Sequence, residues 1–484
     1  MSNEDSKTLM DEILMSGKKK IHSISNSEIE KADEFCEPYK DFLNKSRTER
    51  EAVVEAVAQA KENGFEEYDP DRTYSAGDKI YIVNRNKAVG LAVIGRKGTR
   101  DGVLLSIAHI DSPRIDLKPS PLYEKDGMAL FKTHYYGGIK KYQWTTIPLA
   151  LHGRVCKTDG TYVDISVGDD ENDPCFCITD ILPHLGQEQA KKTLGSAFTG
   201  EDLNCLVGSR PYSDEDGEQV KLNTMKLLYD KYGFTENDFL SAELTLVPAF
   251  KARDIGFDRS MIGSYGHDDR VCAYPALMAI IDAGIPDKTC ITYLTDKEET
   301  GSDGNTGMQS DFLRYFIYDL AKSEGEEGYR VLSKSKCLSA DVNAAVDPTY
   351  ESCFEPKNCS YINEGVVISK YTGARGKSGT SDASAEYMGE VRSMLESNNI
   401  IWQVGELGKV DLGGGGTIAK YVANMNVDVV DLGVPVLSMH APFEIVSKVD
   451  VYMAYLGDVD FPLDRAHYKL VIFDSRVVLQ KKKG

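Results

Sequence analysis

Val103-Leu104-Leu105-Ser106-Ile107-Ala108 runs without a break into His109-Ile110-Asp111. A short, almost wholly apolar run of this kind reads as a strand buried on both faces, which occurs where helices cover both sides of a mainly parallel sheet. Directly after it stand an imidazole and a carboxylate, and the carboxyl ends of strands are where open α/β sheets bind their ligands.

Similar runs return at CITYL (290–294), KCLSA (336–340), GVVISKY (365–371) and VPVLSM (434–439), with helical patterns at 271–284 and 384–399. Strands alternating with helices predict an α/β domain whose mixed, mainly parallel sheet is flanked by helices. Upstream, Thr48 and Glu51 form a capping box before the apolar face Ala52, Val53, Ala56, Val57 and Ala58, so a helix is expected to end near Gly64. Between 118 and 250 the character changes to short alternating segments such as LALHGRV and YVDISV, the pair Gly137-Gly138 and the acidic loops GDDENDP and SDEDGEQ. The pattern predicts a β-rich insert at 118–250 that interrupts a domain made of 1–117 and 251–484.

The composition narrows the function. The chain has 484 residues, with 56 Lys+Arg against 76 Asp+Glu and a net charge of −20. That charge repels nucleic acid and anionic lipid, so neither is expected as a partner. Ten scattered cysteines with no CxxC pair suit a reducing compartment. The polar N-terminal stretch MSNEDSKTLMDEILMSGKKK lacks the apolar core of a signal peptide, and no run reaches the roughly 18 apolar residues of a membrane helix. The expected location is therefore the cytoplasm. The Lys481–Lys483 tail reads as disordered.

Five segments put metal-type ligands at or near a strand end or helix start: His109-Ile110-Asp111, Gly266-His267-Asp268-Asp269-Arg270, Asp296-Lys297-Glu298-Glu299, Asp341 and His440. Many carboxylates with few imidazoles and no cysteine suit a pair of divalent ions better than one structural zinc. Two such ions about 3.5–4 Å apart need a carboxylate between them, for which Asp268 is the candidate. Asp111, two residues beyond His109 on the same side of an extended chain, is placed to hold that imidazole in its metal-binding tautomer. Of the adjacent Glu298 and Glu299, one is expected to bind metal and the other to act as general base. Ligand types favour zinc, with manganese or cobalt as exchangeable alternatives.

AHIDSPR, GHDDR, DKEETGSDGNTGMQS, SADVNAAVDP and VPVLSMHAPFEIVSKVD, in this order, resemble the motif set of the aspartyl aminopeptidase/aminopeptidase I family of dinuclear zinc metallopeptidases. The resemblance implies a zinc-peptidase-like domain interrupted by an insert. It implies that His109 and Asp341 hold one metal, Glu299 and His440 the other, that Asp268 bridges them and that Glu298 is the base. LPHLGQ is similar to the family's insert motif, whose histidine, here His184, reaches a substrate site, in one reading that of a neighbouring subunit. It further implies a homo-oligomer, specifically a dodecamer. After Asp341 the stretch Val342-Asn343-Ala344-Ala345-Val346-Asp347 lacks the histidines of aspartyl aminopeptidases and looks like the bacterial aminopeptidase I branch.

The resulting expectation is a metalloaminopeptidase that hydrolyses the N-terminal residue of peptides through a metal-bridged water and a glutamate base. Asp347 would repel acidic side chains, while Lys370 and Arg375 lie in a loop able to reach the same pocket. Neutral first residues are therefore expected to be favoured. Two rivals stand beside this reading. One is a nucleotide-binding enzyme using the glycine loop 372–380, although the position five before Gly376 is Tyr371 rather than the glycine a phosphate loop needs. The other is an inactive scaffold, against which the intact Glu298 argues.

Overall fold

The computed structural model describes residues 13–14, 24–461, 468–473 and 476–481. Apart from residues 13 and 14, the polar N-terminal stretch lies outside the described residues, as do Lys482 and Lys483 of the tail, whereas Lys481 closes the strand Arg476–Lys481.

The 103–108 run becomes the strand Leu104–His109 in the middle of a nine-stranded sheet. From edge to edge the order is Glu66–Glu67, Lys79–Asn84, Ala88–Val93, Cys290–Thr295, Leu104–His109, Lys336–Ser339, Asp428–Gly433, Val366–Ser369 and Trp402–Val404. The four from Cys290–Thr295 to Asp428–Gly433 are mutually parallel, and the strands beside them pair antiparallel. In register, His109 sits opposite Thr295 and Ile107 opposite Ser339, so these strands end nearly flush and the segments that follow them emerge side by side.

The unbroken hydrophobicity has the expected cause. Leu105 and Ile107 face a core that includes Phe316, Leu320 and Val422, whereas Ala108 and Ile110 face another that includes Tyr39, Leu277 and Met453. Ser106, the one polar residue, donates its hydroxyl to Asp458 Oδ1 at 2.7 Å. The helix Glu49–Glu62 starts with the predicted capping box. Glu51 uses Oε2 to accept the Thr48 N–H at 3.0 Å, and its Oε1 lies 2.8 Å from His152 Nδ1. On its far side, His152 Nε2 lies 2.8 Å from Asp169 Oδ2, so one buried imidazole joins this helix to a β-rich layer.

That layer is a seven-stranded sheet drawn from residues between Arg114 and Pro248, ordered Tyr162–Val167, Leu149–Cys156, Ala242–Pro248, Arg114–Lys125, Met128–Tyr136, Cys205–Gly208 and Cys177–Ile178. It packs its own core around Ile115, Phe131, Trp144 and Leu246.

One strand departs from expectation. VPVLSM contributes only Pro435–Leu437, and that to a separate five-stranded sheet; the central position goes to the preceding Asp428–Gly433. Pro435 has no N–H for a central ladder, so the apolar run immediately before it is the one that pairs on both sides. No described helix is long and apolar enough to cross a membrane.

Candidate metal centre

His109, the last residue of its strand, is fully buried. Its Nε2 lies 3.2 Å from Asp268 Oδ1 and 3.9 Å from Asp341 Oδ1. Asp341 follows the neighbouring strand Lys336–Ser339, and Asp268 sits at the start of the helix His267–Asp282, where its backbone leaves the helical region (φ −78, ψ 106). The other Asp268 oxygen, Oδ2, lies 3.2 Å from His440 Nε2, which is also 3.5 Å from Glu299 Oε2. One carboxylate therefore faces two different imidazoles with its two oxygens. Glu298 and Glu299 occupy a single turn after the strand Cys290–Thr295. Ligand atoms gather within 4.8 Å in three sets, His109–Asp268–Asp341, Asp268–Glu299–His440 and His109–Glu298–Glu299.

The donor set fits cations. His109 Nε2 and Glu299 Oε1 are buried without a hydrogen-bond partner, a costly arrangement unless something coordinates them. Burial pushes the carboxyls of Glu299 and Asp341 well above their ordinary values and that of Glu298 up to about 7. At Asp268 burial acts the same way, but the imidazoles of His109 and His440 outweigh it and hold the carboxyl well below its usual range. So many acids crowded in one dry place ionise together only beside positive charge.

Asp111 organises the cluster from behind. Its Oδ1 lies 3.2 Å from His109 Nδ1 and accepts the Glu298 N–H at 3.1 Å, while Oδ2 accepts the Glu299 N–H at 3.2 Å and the Tyr136 hydroxyl at 2.8 Å. With Nδ1–H directed to Asp111, the His109 Nε2 lone pair faces the cluster.

Three participants escaped the sequence reading. Glu444 accepts the backbone N–H groups of Asp268 and His440. Tyr136 reaches Asp111, and the Gly138 carbonyl accepts from His440 Nδ1 at 2.7 Å. Gly137 has φ +76, and a Cβ there would come 3.2 Å from Glu299 Oε2, which is why a glycine passes at this point. In the sequence the Gly137-Gly138 pair marks only the change in character of the 118–250 stretch and does not point to this contact.

A cavity of about 530 Å³ opens beside the cluster, bounded in part by Tyr371, Leu407, Lys420, Met439 and glycines 414–416. The wall does not include His184, Asp347 or Lys370. His184 stands exposed on a turn of the β-rich layer. Asp347 accepts the Thr349 N–H at 2.8 Å, a local turn contact. Lys370 pairs with Asp382 and donates to the Ala383 carbonyl at 2.9 Å, which turns its ammonium away along the loop. Loop 372–380 closes on itself through Ala374 and Ser378, and Lys377 is engaged by Asp382 at 2.7 Å, so it presents no phosphate cradle.

A family model described as aminopeptidase I zinc metalloprotease (M18) matches residues 42–457. A curated relative from Clostridium acetobutylicum, described as a probable M18 family aminopeptidase 1, is 49% identical over 423 residues, covering 86% of this chain and 91% of its own. The crystal structure of an M18-family aminopeptidase from Thermotoga maritima matches with a TM-score of 0.88 at 44% identity, covering 93% of this chain and 99% of that one. The S. cerevisiae mApe1 dodecamer shares the fold, with a TM-score of 0.72 at 20% identity over 90% of this chain and 97% of that one.

Proposed function

Because the chain belongs to the aminopeptidase I zinc metalloprotease (M18) family and is a metal-dependent aminopeptidase, we propose that it works with two divalent ions and removes neutral N-terminal residues from peptides. The observation that carries the two-ion reading is Asp268, whose oxygens each lie 3.2 Å from a different histidine. His109 and Asp341 would hold one ion, Glu299 and His440 the other, with Asp268 shared. When bound, such ions polarise the scissile carbonyl and make water a better nucleophile.

The chain's own groups do the rest. Glu298, whose N–H is anchored on Asp111, takes the proton of the attacking water at its carboxylate and returns it to the leaving nitrogen. Asp111 positions His109 and the Glu298–Glu299 turn without meeting the substrate. The substrate's α-amine, a cation, settles at the acidic end of the cavity, which limits cleavage to the first bond. Val342, Leu407 and Met439 offer that residue apolar wall. An acidic side chain would lose its hydration against that wall and is disfavoured.

We further propose the division into a peptidase domain (1–117 and 251–484) and an insert (118–250), cytoplasmic residence, and assembly through the insert into a dodecamer. Exposed Ile181, Leu182, Leu185 and Leu194 around His184 support a subunit contact there. In such a contact His184 would serve a neighbouring site rather than its own. The experiment is a panel of aminoacyl-4-nitroanilides with zinc, manganese and cobalt: hydrolysis favouring Leu or Met supports the reading, a preference for Asp or Glu overturns the specificity, and no hydrolysis with any metal overturns the activity.

A further inference from the structure

The active-site cavity contains one unpaired lysine. Lys420 lines it, as do Asp268, Glu298, Glu299, Asp341 and Asp431, yet among the described residues no carboxylate lies within ion-pair distance of its ammonium. Two lysines of the neighbouring loop, Lys370 and Lys377, instead both pair with Asp382. Lys420 is half-buried on the short helix Ala419–Ala423, and its Nζ stands 4.6 Å from the centroid of the Tyr421 ring. Tyr421 also lines the cavity and donates its hydroxyl to the Gly301 carbonyl at 2.9 Å, immediately after the turn that carries Glu298 and Glu299. The ammonium is thus steadied against a ring that is itself tied to the catalytic turn.

Charge is distributed along the cavity accordingly. One end is an acidic cluster suited to a peptide's α-amine, and the wall offers a cation that no described carboxylate pairs with. A side chain on the first residue faces the apolar wall of Val342, Leu407 and Met439, where a carboxylate would lose its hydration, whereas a carboxylate beyond the scissile bond is free to reach Lys420. Building on the aminopeptidase reading above, we infer that Lys420 recognises a carboxylate on the leaving side of the substrate. That carboxylate is either the free terminus of a dipeptide or an acidic side chain on the second residue. The Nζ supplies a charge-assisted hydrogen bond to it, which makes short or acidic-second-residue peptides the preferred class.

The test uses the zinc-loaded full chain and kcat/KM for Leu-Gly, Leu-Gly-amide, Leu-Glu-amide and Leu-Gln-amide, in the native protein, K420M and K420R. If the terminus is read, the native Leu-Gly/Leu-Gly-amide ratio should fall about tenfold in K420M, the size of one partly solvated charge-assisted bond, and K420R should restore most of it. If the side chain is read, the same pattern should appear in the Leu-Glu-amide/Leu-Gln-amide ratio. In either arm the change should lie mainly in KM. Equal ratios in native protein and K420M for both pairs overturn this inference alone, as does a ratio that K420R fails to restore. Absence of hydrolysis of all four peptides overturns the aminopeptidase reading and this inference with it.

Discussion

Glu444 holds Asp268 by its backbone: Oε2 accepts the Asp268 N–H at 3.1 Å, and the other oxygen of the same carboxylate accepts the N–H of His440 at 2.7 Å. One buried side chain thereby sets the spacing between the shared carboxylate and one of the two imidazoles it faces. In Glu444→Gln the amide nitrogen replaces one acceptor and leaves a buried N–H without a partner. Zinc affinity should fall about 10–100-fold, the usual effect of losing a group that orients a ligand. Competition with a chromophoric chelator measures it, and unchanged affinity would remove Glu444 from the site.

Glu298→Gln preserves shape but cannot take a proton. Zinc content should stay at the native level while kcat falls by about 10²–10⁴, the range for a general base. Elemental analysis and steady-state kinetics on the same sample separate the two effects, and native turnover would end the assignment.

Metal removal should act in two stages. A chelator should abolish activity while circular dichroism still reports a folded chain, because the two large cores are made of apolar side chains that hold no metal. The stripped protein should nonetheless melt earlier, since a ligand present at about 100 times its Kd stabilises by about 2.7 kcal/mol. Active material containing less than one ion per chain would refute the two-ion centre.

His152 makes stability depend on pH. Burial alone would lower its pKa, but Asp169 and Glu51 outweigh this and hold the imidazolium up to about 9. The folded value exceeds the unfolded 6.5, so its contribution is complete below pH 6.5 and is lost as pH rises through 9. Holding the imidazolium that far above its ordinary value is worth about 3 kcal/mol. Urea titrations should show the native protein losing stability between pH 6.5 and 9.5, and His152→Gln, weaker at the start, losing much less across that interval.

The strand-end pattern picked out the segments that carry His109, Asp268, Glu299, Asp341 and His440, because buried strands are conspicuous and a charge set after one is expensive without a partner, and the family resemblance chose among the acids within them. The fold brings these five together. Glu444, Tyr136 and Gly138 were invisible because they act through a backbone N–H, a phenol or a carbonyl, which any sequence supplies. The helix Asn26–Lys45 was missed for another reason: it carries Pro38 in its interior and buries only a narrow face of Ala32, Cys36, Tyr39, Phe42 and Leu43 among charged residues. VPVLSM went to the wrong sheet because a short apolar run looks the same whichever ladder it joins.

The bond from His440 Nδ1 to the Gly138 carbonyl spans 302 residues of chain. Contacts so distant in sequence close late, after the local elements on each side have formed. Until the Gly137-Gly138 segment arrives, nothing on the insert side fixes which ring nitrogen of His440 bears the proton, and an imidazole with the wrong tautomer is a poor ligand. A candidate ligand from the far end of the site is thus oriented by a carbonyl 302 residues upstream, so a chain in which that contact has not closed lacks a fixed imidazole at this position.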